Sequence, residues 1–153
     1  MLAALKRFFD TELASPAEGP AGEHRLQVAT AALLVEVMRL DGSPAKSRDA
    51  VFASVRRKFD LSPGEAVSLV QLAEEEARES VGHYEFTSLI NRYYSPAQKA
   101  RIVEFMWEVA YADATLSAHE QHVIRKIADL LYVSHADYVA AKLRARQATR
   151  GEA

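Results

Sequence analysis

Two pairs of carboxylates with the same internal spacing are the residues of this chain best placed for chemistry. Glu36 and Asp41 are five positions apart, and so are Glu108 and Asp113. Each Glu falls in the last turns of an apolar segment with helical spacing, and each Asp falls where that segment ends. A helix C-terminus carries partial negative charge, so carboxylates gathered there need compensation. Glu104, four positions before Glu108 on the same helical face, adds a like-charge pair. A hard divalent cation would supply the compensation, since an oxygen-only cluster suits Ca²⁺, Mg²⁺ or Mn²⁺ before Zn²⁺. Capping and ion pairing would supply it too, because Asp41-Gly42 is a good turn dipeptide and Arg39, Arg101 and Arg125 are at hand. Neither loop has the alternating oxygen ligands of an EF-hand.

The elements that position these residues form a repeat. Ala32 to Ser43 aligns without a gap on Glu104 to Thr115 at an offset of 72 positions. The same offset pairs Phe52 with Ile124, Val55 with Ile127, Phe59 with Leu131, Leu61 with Val133, Ser62 with Ser134 and Glu65 with Asp137. Apolar positions fall on apolar positions. The spacing throughout is the 3–4 of amphipathic helices, and no segment reads as a strand. The fold class is therefore all-α, a bundle of seven or eight helices in which two helical hairpins pack about a pseudo-twofold.

Along the chain, Leu2, Leu5, Phe8, Phe9 and Leu13 share one face of an N-terminal amphipathic helix. With Lys6 and Arg7 it has the character to touch a membrane surface, but its acids favour docking on the bundle or on a partner. Ser15 to Gly22 is rich in Pro and Gly and reads as a linker, giving an N-terminal helix and linker over 1–22 and a helical domain over 23–148. A long helix is expected from about Glu23 to Leu40, and the next starts with Ser43 as N-cap and Pro44 at the first helical position. Three further starts carry capping boxes: Ser62–Glu65, Ser95–Gln98 and Ser117–Glu120. In the helix after Ser62, Ala66, Leu69, Val70 and Ala73 should face inward. Gly82 separates it from a short helix over His83 to Asn91. The last helix begins at Ser134 and fades in a basic tail at Arg144, Arg146 and Arg150. Trp107, Phe105, Phe52 and Phe59 are expected in the core.

Composition narrows the function. The chain has 153 residues, 49% of them hydrophobic and 26% charged, with a net charge of −2. That is an ordinary globular balance, and it argues against nucleic-acid binding driven by charge. There is no cysteine, which excludes disulfides, thiolate nucleophiles and cysteine-held zinc. No apolar run approaches the roughly 18–20 residues that cross a bilayer, and charged residues interrupt the N-terminus where a signal peptide needs an apolar core. A cytoplasmic location is expected. No nucleophile elbow, Ser/His/Asp signature or Gly-rich phosphate loop is present, so no enzyme is expected. His119 and His122, three apart, with His135 near the next helix start, offer a zinc site beside Glu120 or Asp113; the alternative is exposed polar residues on a surface helix.

At Ala31 to Gly42, Tyr84 to Asn91, Trp107 to Asp113 and Glu120 to His135 the chain resembles the TerB family of tellurite-resistance-associated helical proteins, in its uncharacterised TerB-like branch. The resemblance covers roughly residues 23–145. It implies an all-helical fold of two repeated halves and an acidic cluster that binds a metal cation. The family pattern is Glu, Asp-Gly five positions on, and Glu seven after the Asp. Here the second copy has Glu108, Asp113 and Glu120, with Ala114 in place of the Gly. The first copy has Glu36, Asp41 and Gly42, with Arg48 where the last Glu belongs; Arg48 would then neutralise the second copy's carboxylates. The resemblance so implies one weakened site, with Glu36, Asp41, Glu108, Asp113 and Glu120 as its candidate metal ligands, or an ion-pair network, in a non-enzymatic protein of tellurite and toxic-oxyanion stress. The partners it implies are proteins, membrane-associated ones among them, which would hold the chain peripheral to a membrane, and a second copy of the chain is a further expected partner. Some related domains sit beside a J-domain, but no His-Pro-Asp motif occurs here.

Overall fold

The computed structural model describes residues 7, 8, 10, 19–78, 84–112 and 118–152. Seven helices run through them: α1 Gly19–Leu40, α2 Ala45–Lys58, α3 Pro63–Arg78, α4 Glu85–Tyr93, α5 Pro96–Ala112, α6 Ala118–Leu130 and α7 His135–Glu152. Among the described residues there is no strand. The all-α expectation holds. The chain divides into two compact units between Phe86 and Thr87, within α4.

In the first unit α1 packs against both α2 and α3, and in the second α5 packs against both α6 and α7. Each unit thus contains three helices of which the first contacts the other two, one more than a hairpin, and the second unit also holds residues 87–93 of α4. The buried residues follow the 72-residue offset at Val37 and Val109, Val55 and Ile127, and Phe59 and Leu131. The backbone follows it as well. Asp60 and Tyr132 both adopt a left-handed conformation, with φ of 50° and 58°. Each is the residue past the end of a helix closed by paired backbone bonds. Leu61 N–H donates to Arg56 O at 3.1 Å and Asp60 N–H to Arg57 O at 3.4 Å; Val133 N–H donates to Ala128 O at 3.0 Å and Tyr132 N–H to Asp129 O at 3.1 Å. A serine then caps the third helix of each unit. Ser62 Oγ accepts the Glu65 N–H at 3.1 Å while Glu65 Oε1 accepts the Ser62 N–H at 2.8 Å. In the second unit Ser134 Oγ accepts the Asp137 N–H at 3.2 Å.

The units differ where α3 and α7 meet their partners. Leu69 of α3 corresponds to Ala141 of α7, and Ala141 and Ala145, both fully buried, lie one turn apart. Small side chains at a helix contact let two axes approach, and α7 lies along α5 more extensively than α3 lies along α1.

Several expectations are corrected. Helix α1 begins at Gly19, not near Glu23. Pro20 sits in its first turn, where the missing N–H would have no partner anyway. The N-cap of α2 is Pro44, without a side-chain cap bond, rather than Ser43. Ser43 is buried and its N–H closes α1 by donating to Met38 O at 3.0 Å, alongside Gly42 N–H to Arg39 O at 3.3 Å. Gly42 supplies the positive φ of 75° this closure needs. Val70 is exposed and Phe52 half-buried, whereas Leu72 is buried. Val70 and Phe52 line an apolar groove of about 260 Å³ between α1, α2 and α3. The last helix continues to Glu152 instead of fading at its arginines.

The Ser95–Gln98 box forms, with Ser95 N–H to Gln98 Oε1 at 2.8 Å and Gln98 N–H to Ser95 Oγ at 3.1 Å. Asn91 donates from Nδ2 to Leu130 O at 2.9 Å, satisfying a terminal carbonyl of α6. Arg7, Phe8 and Asp10 are helical, and Phe8 is buried edge-to-face on Phe86 at 6.1 Å. That contact puts the N-terminal segment on the bundle at Phe8. Most of the expected first helix, residues 15–18 of the linker, Gly82, His83, Asp113, Ala114 and Ser117 lie outside the described residues, as does the side chain of His119.

Candidate functional site

Glu36 is 1% exposed. Its position near the C-terminal end of α1 is electrostatically unfavourable within that helix, but its carboxylate reaches another helix end of opposite polarity. Oε2 accepts the backbone N–H of Phe86 at 2.8 Å, in the first turn of α4. The N–H groups of a first turn lack helical acceptors and carry partial positive charge, so an anion there is stabilised. Asp41, half-buried, occupies the C-cap of α1, its N–H donating to Val37 O at 2.8 Å.

In the second unit the pair expected to repel, Glu104 and Glu108, is joined by a guanidinium. Arg101 Nη1 donates to Glu104 Oε2 and lies 3.9 Å from Glu108 Oε2. Arg144 Nε donates to Glu104 Oε1 at 2.6 Å. Both oxygens of the nearly buried Glu104 are thereby engaged by cations from its own helix and from α7. The close approach of α7 to α5 at Ala141 and Ala145 brings Arg144 within reach. Arg101 also lies over the Phe105 ring, 4.0 Å from its centroid, which fixes a long side chain that would otherwise lose entropy on pairing. Arg144, read from sequence as part of a tail, is therefore a site residue. The missed signal is its i, i+3 relation to Ala141 on the buried face.

Glu120 stands in the first turn of α6, 3% exposed, with both carboxylate oxygens shielded from solvent. Its expected box partner Ser117 and the motif residue Asp113 lie outside the described residues. Arg48 lines the groove of the first unit, beside Asp49. Among the described residues no three of His, Asp and Glu converge as the ligands of a metal ion would.

Sequence reasoning also missed an ion pair in the first unit. His24 Nε2 lies 2.9 Å and 2.8 Å from the two oxygens of Glu65, and its Nδ1 lies 3.0 Å from Gln27 Oε1. Burial alone would lower the His24 pKa, but the bonds to Glu65 and Gln27 outweigh it and raise the value above its ordinary 6.5. For Glu65, burial works upward, while the Ser62 N–H and His24 bring the carboxyl below its ordinary 4.5. The capping box of α3 is so tied to α1.

Residues 27–143 match the family model described as Tellurite resistance protein TerB. The chain belongs to the TerB family. No curated protein and no solved structure matches it closely enough to add a relative. The match spans both repeats of this TerB-family protein and includes Glu36, Glu104, Glu108 and Glu120. Arg144 lies one position beyond it. Among the described residues, no helix is long and apolar enough to cross a membrane.

Proposed function

We propose that this TerB-family protein works by binding rather than by catalysis, in the cellular response to tellurite and related toxic oxyanions. It serves there as a cytoplasmic scaffold for protein partners, some of them at the membrane. Family membership supports the cellular role. The observation that carries the scaffold reading is the engagement of Glu104 by Arg101 and Arg144. A nearly buried carboxylate with both oxygens held by guanidiniums is an ion-paired structural group, which supports a framework role for these acids. The test is growth under tellurite of the source organism with the gene deleted and restored. Restored tolerance is expected; equal tolerance with and without the gene would refute the role.

A second reading is favoured by the burial of Glu120. In it, Glu108, Asp113 and Glu120 of the second copy hold a divalent cation, following the family pattern. A buried carboxylate requires compensation, and a hard cation is one source. Chelator-stripped protein should then unfold at a higher temperature with Ca²⁺, Mg²⁺ or Mn²⁺, by a few degrees at saturation for a chain of this size. Asp113→Asn should remove that gain, and an unchanged gain in the variant would exclude Asp113 as a ligand.

A further inference from the structure

One face of α7 gathers donors and aromatic rings without acids. His135, Tyr138, Lys142 and Arg146 fall at i, i+3, i+7 and i+11, so they share that face. With Trp107 and Tyr111 of α5 and Arg125 of α6 they line a cup of about 610 Å³. No carboxylate is among the described lining residues.

The rings form a continuous floor. Tyr111 stacks on Trp107 at 5.7 Å and 29°, Tyr138 meets Trp107 edge-on at 6.0 Å, and His135 stacks on Tyr138 at 6.3 Å. Two cations are held over this floor. Lys142 Nζ is 4.7 Å from the Trp107 ring centroid, and Arg125 Cζ is 5.7 Å from that of Tyr138. Cation–π contact orients them without neutralising them. Arg146, exposed, stands one turn beyond Lys142. Among the described residues no carboxylate is ion-paired with Arg125, Lys142 or Arg146.

The other polar groups at the cup are also donors. Burial raises the Tyr138 pKa, against the opposing pull of Arg125 and with Asp129 and Tyr111 adding to the rise, so its hydroxyl keeps its proton. The buried indole Nε1–H of Trp107 has no acceptor among the described residues. A buried donor without an acceptor calls for a partner from outside. Three cations with no ion-paired carboxylate among the described residues ask for a multiply charged anion. A volume of 610 Å³ lies within the roughly 300–1,000 Å³ of small-molecule sites, more than a bare tetrahedral ion fills.

We propose that the cup between α5, α6 and α7 binds phosphate-class oxyanions, its aromatic floor favouring an organic phosphate that carries a planar ring over the inorganic ion. The inference stands on these side chains and does not depend on the resistance role. Trp107 is the only tryptophan of the chain, so its fluorescence reports from the cup itself.

The test is titration of the full chain with ADP, inorganic phosphate and adenosine, followed by tryptophan fluorescence and by calorimetry. ADP should bind, phosphate should compete with it, and adenosine should bind far more weakly. Lys142→Gln and Arg146→Gln should each weaken ADP by about tenfold, as the loss of one charge-assisted contact does. Arg56→Gln, an exposed arginine of α2 outside the cup, should leave binding unchanged, and circular dichroism should show all three variants folded. Equal affinity for phosphate and ADP would support the oxyanion site and assign its ligand to the inorganic ion. The proposal is overturned if neither ADP nor phosphate binds, if adenosine binds as tightly as ADP, or if the folded cup variants bind like the wild type.

Discussion

Asp60 and Tyr132, 72 positions apart, hold the same left-handed backbone at the ends of corresponding helices. A β-carbon in that region is strained by about 1–2 kcal/mol, and aspartate bears it better than tyrosine. Tyr132 is 82% exposed, so its ring gains little from burial. Tyr132→Gly should therefore raise stability by about 1 kcal/mol. Asp60→Gly should gain less, and would also remove a charge that raises the His24 pKa. Urea unfolding of both variants checks the order.

The Glu104 pairs predict a non-additive result. Arg101→Ala or Arg144→Ala alone leaves one guanidinium on the carboxylate and should cost about 1–2 kcal/mol. The double variant leaves a nearly buried charge uncompensated and should cost about 3 kcal/mol or more. Adding Glu104→Gln to the double variant should recover part of the loss. A full double-mutant cycle by chemical denaturation measures the coupling; strict additivity would show that the two arginines act independently.

For Glu36 the acceptor matters more than the charge. Glu36→Ala strands the buried Phe86 N–H and should lower stability by about 1–3 kcal/mol. Glu36→Gln keeps a carbonyl acceptor there and should lose less. Equal losses in the two variants would mean that the negative charge, rather than the hydrogen bond, stabilises the start of α4.

The His24–Glu65 pair makes stability depend on pH in a defined direction. The pKa of His24 is raised in the folded state, so its contribution is complete below 6.5 and is lost as pH rises through the higher folded value. The pKa of Glu65 is lowered, so its contribution is present above 4.5 and is lost as pH falls through the lower folded value. The pair therefore stabilises most between these two limits. Since His24 is 36% exposed, solvent screening keeps the effect below about 1 kcal/mol. The difference in Tm between wild type and His24→Gln should be largest near pH 5.5 and shrink by pH 8; a constant difference would assign His24 a packing role.

What the sequence disclosed was whatever repeats at short range. Ser62–Glu65 and Ser95–Gln98 were legible because a capping box is complete within four residues. The correspondence of Val37 with Val109 was legible because helical spacing records burial. Pro20 misled because a proline that breaks a helix interior is harmless in a first turn. Val70 and Phe52 misled because an apolar residue at the margin of a stripe packs or lines a groove according to its neighbours. Glu104 with Arg144, and His24 with Glu65, join residues 40 and 41 positions apart; no periodicity marks such pairs. The candidate carboxylates and the nearby Arg101 could thus be named from the sequence, but not the distant partner Arg144.

Ser43 and Pro44 leave no slack between the first two helices. The N–H of Ser43 terminates α1, and the carbonyl of Pro44 accepts the Arg48 N–H at 3.0 Å to begin α2. One added residue here would turn α2 by about 100° about its own axis. Val51 and Val55 would swing away from the interior, with exposed neighbours such as Ala53 and Arg57 brought round in their place. The junction should therefore be intolerant of length change, while point substitutions beside it are accepted. Deep insertional scanning of residues 41–45 would register as a sharp minimum in folded yield, a signature of rotational phasing rather than of side-chain identity.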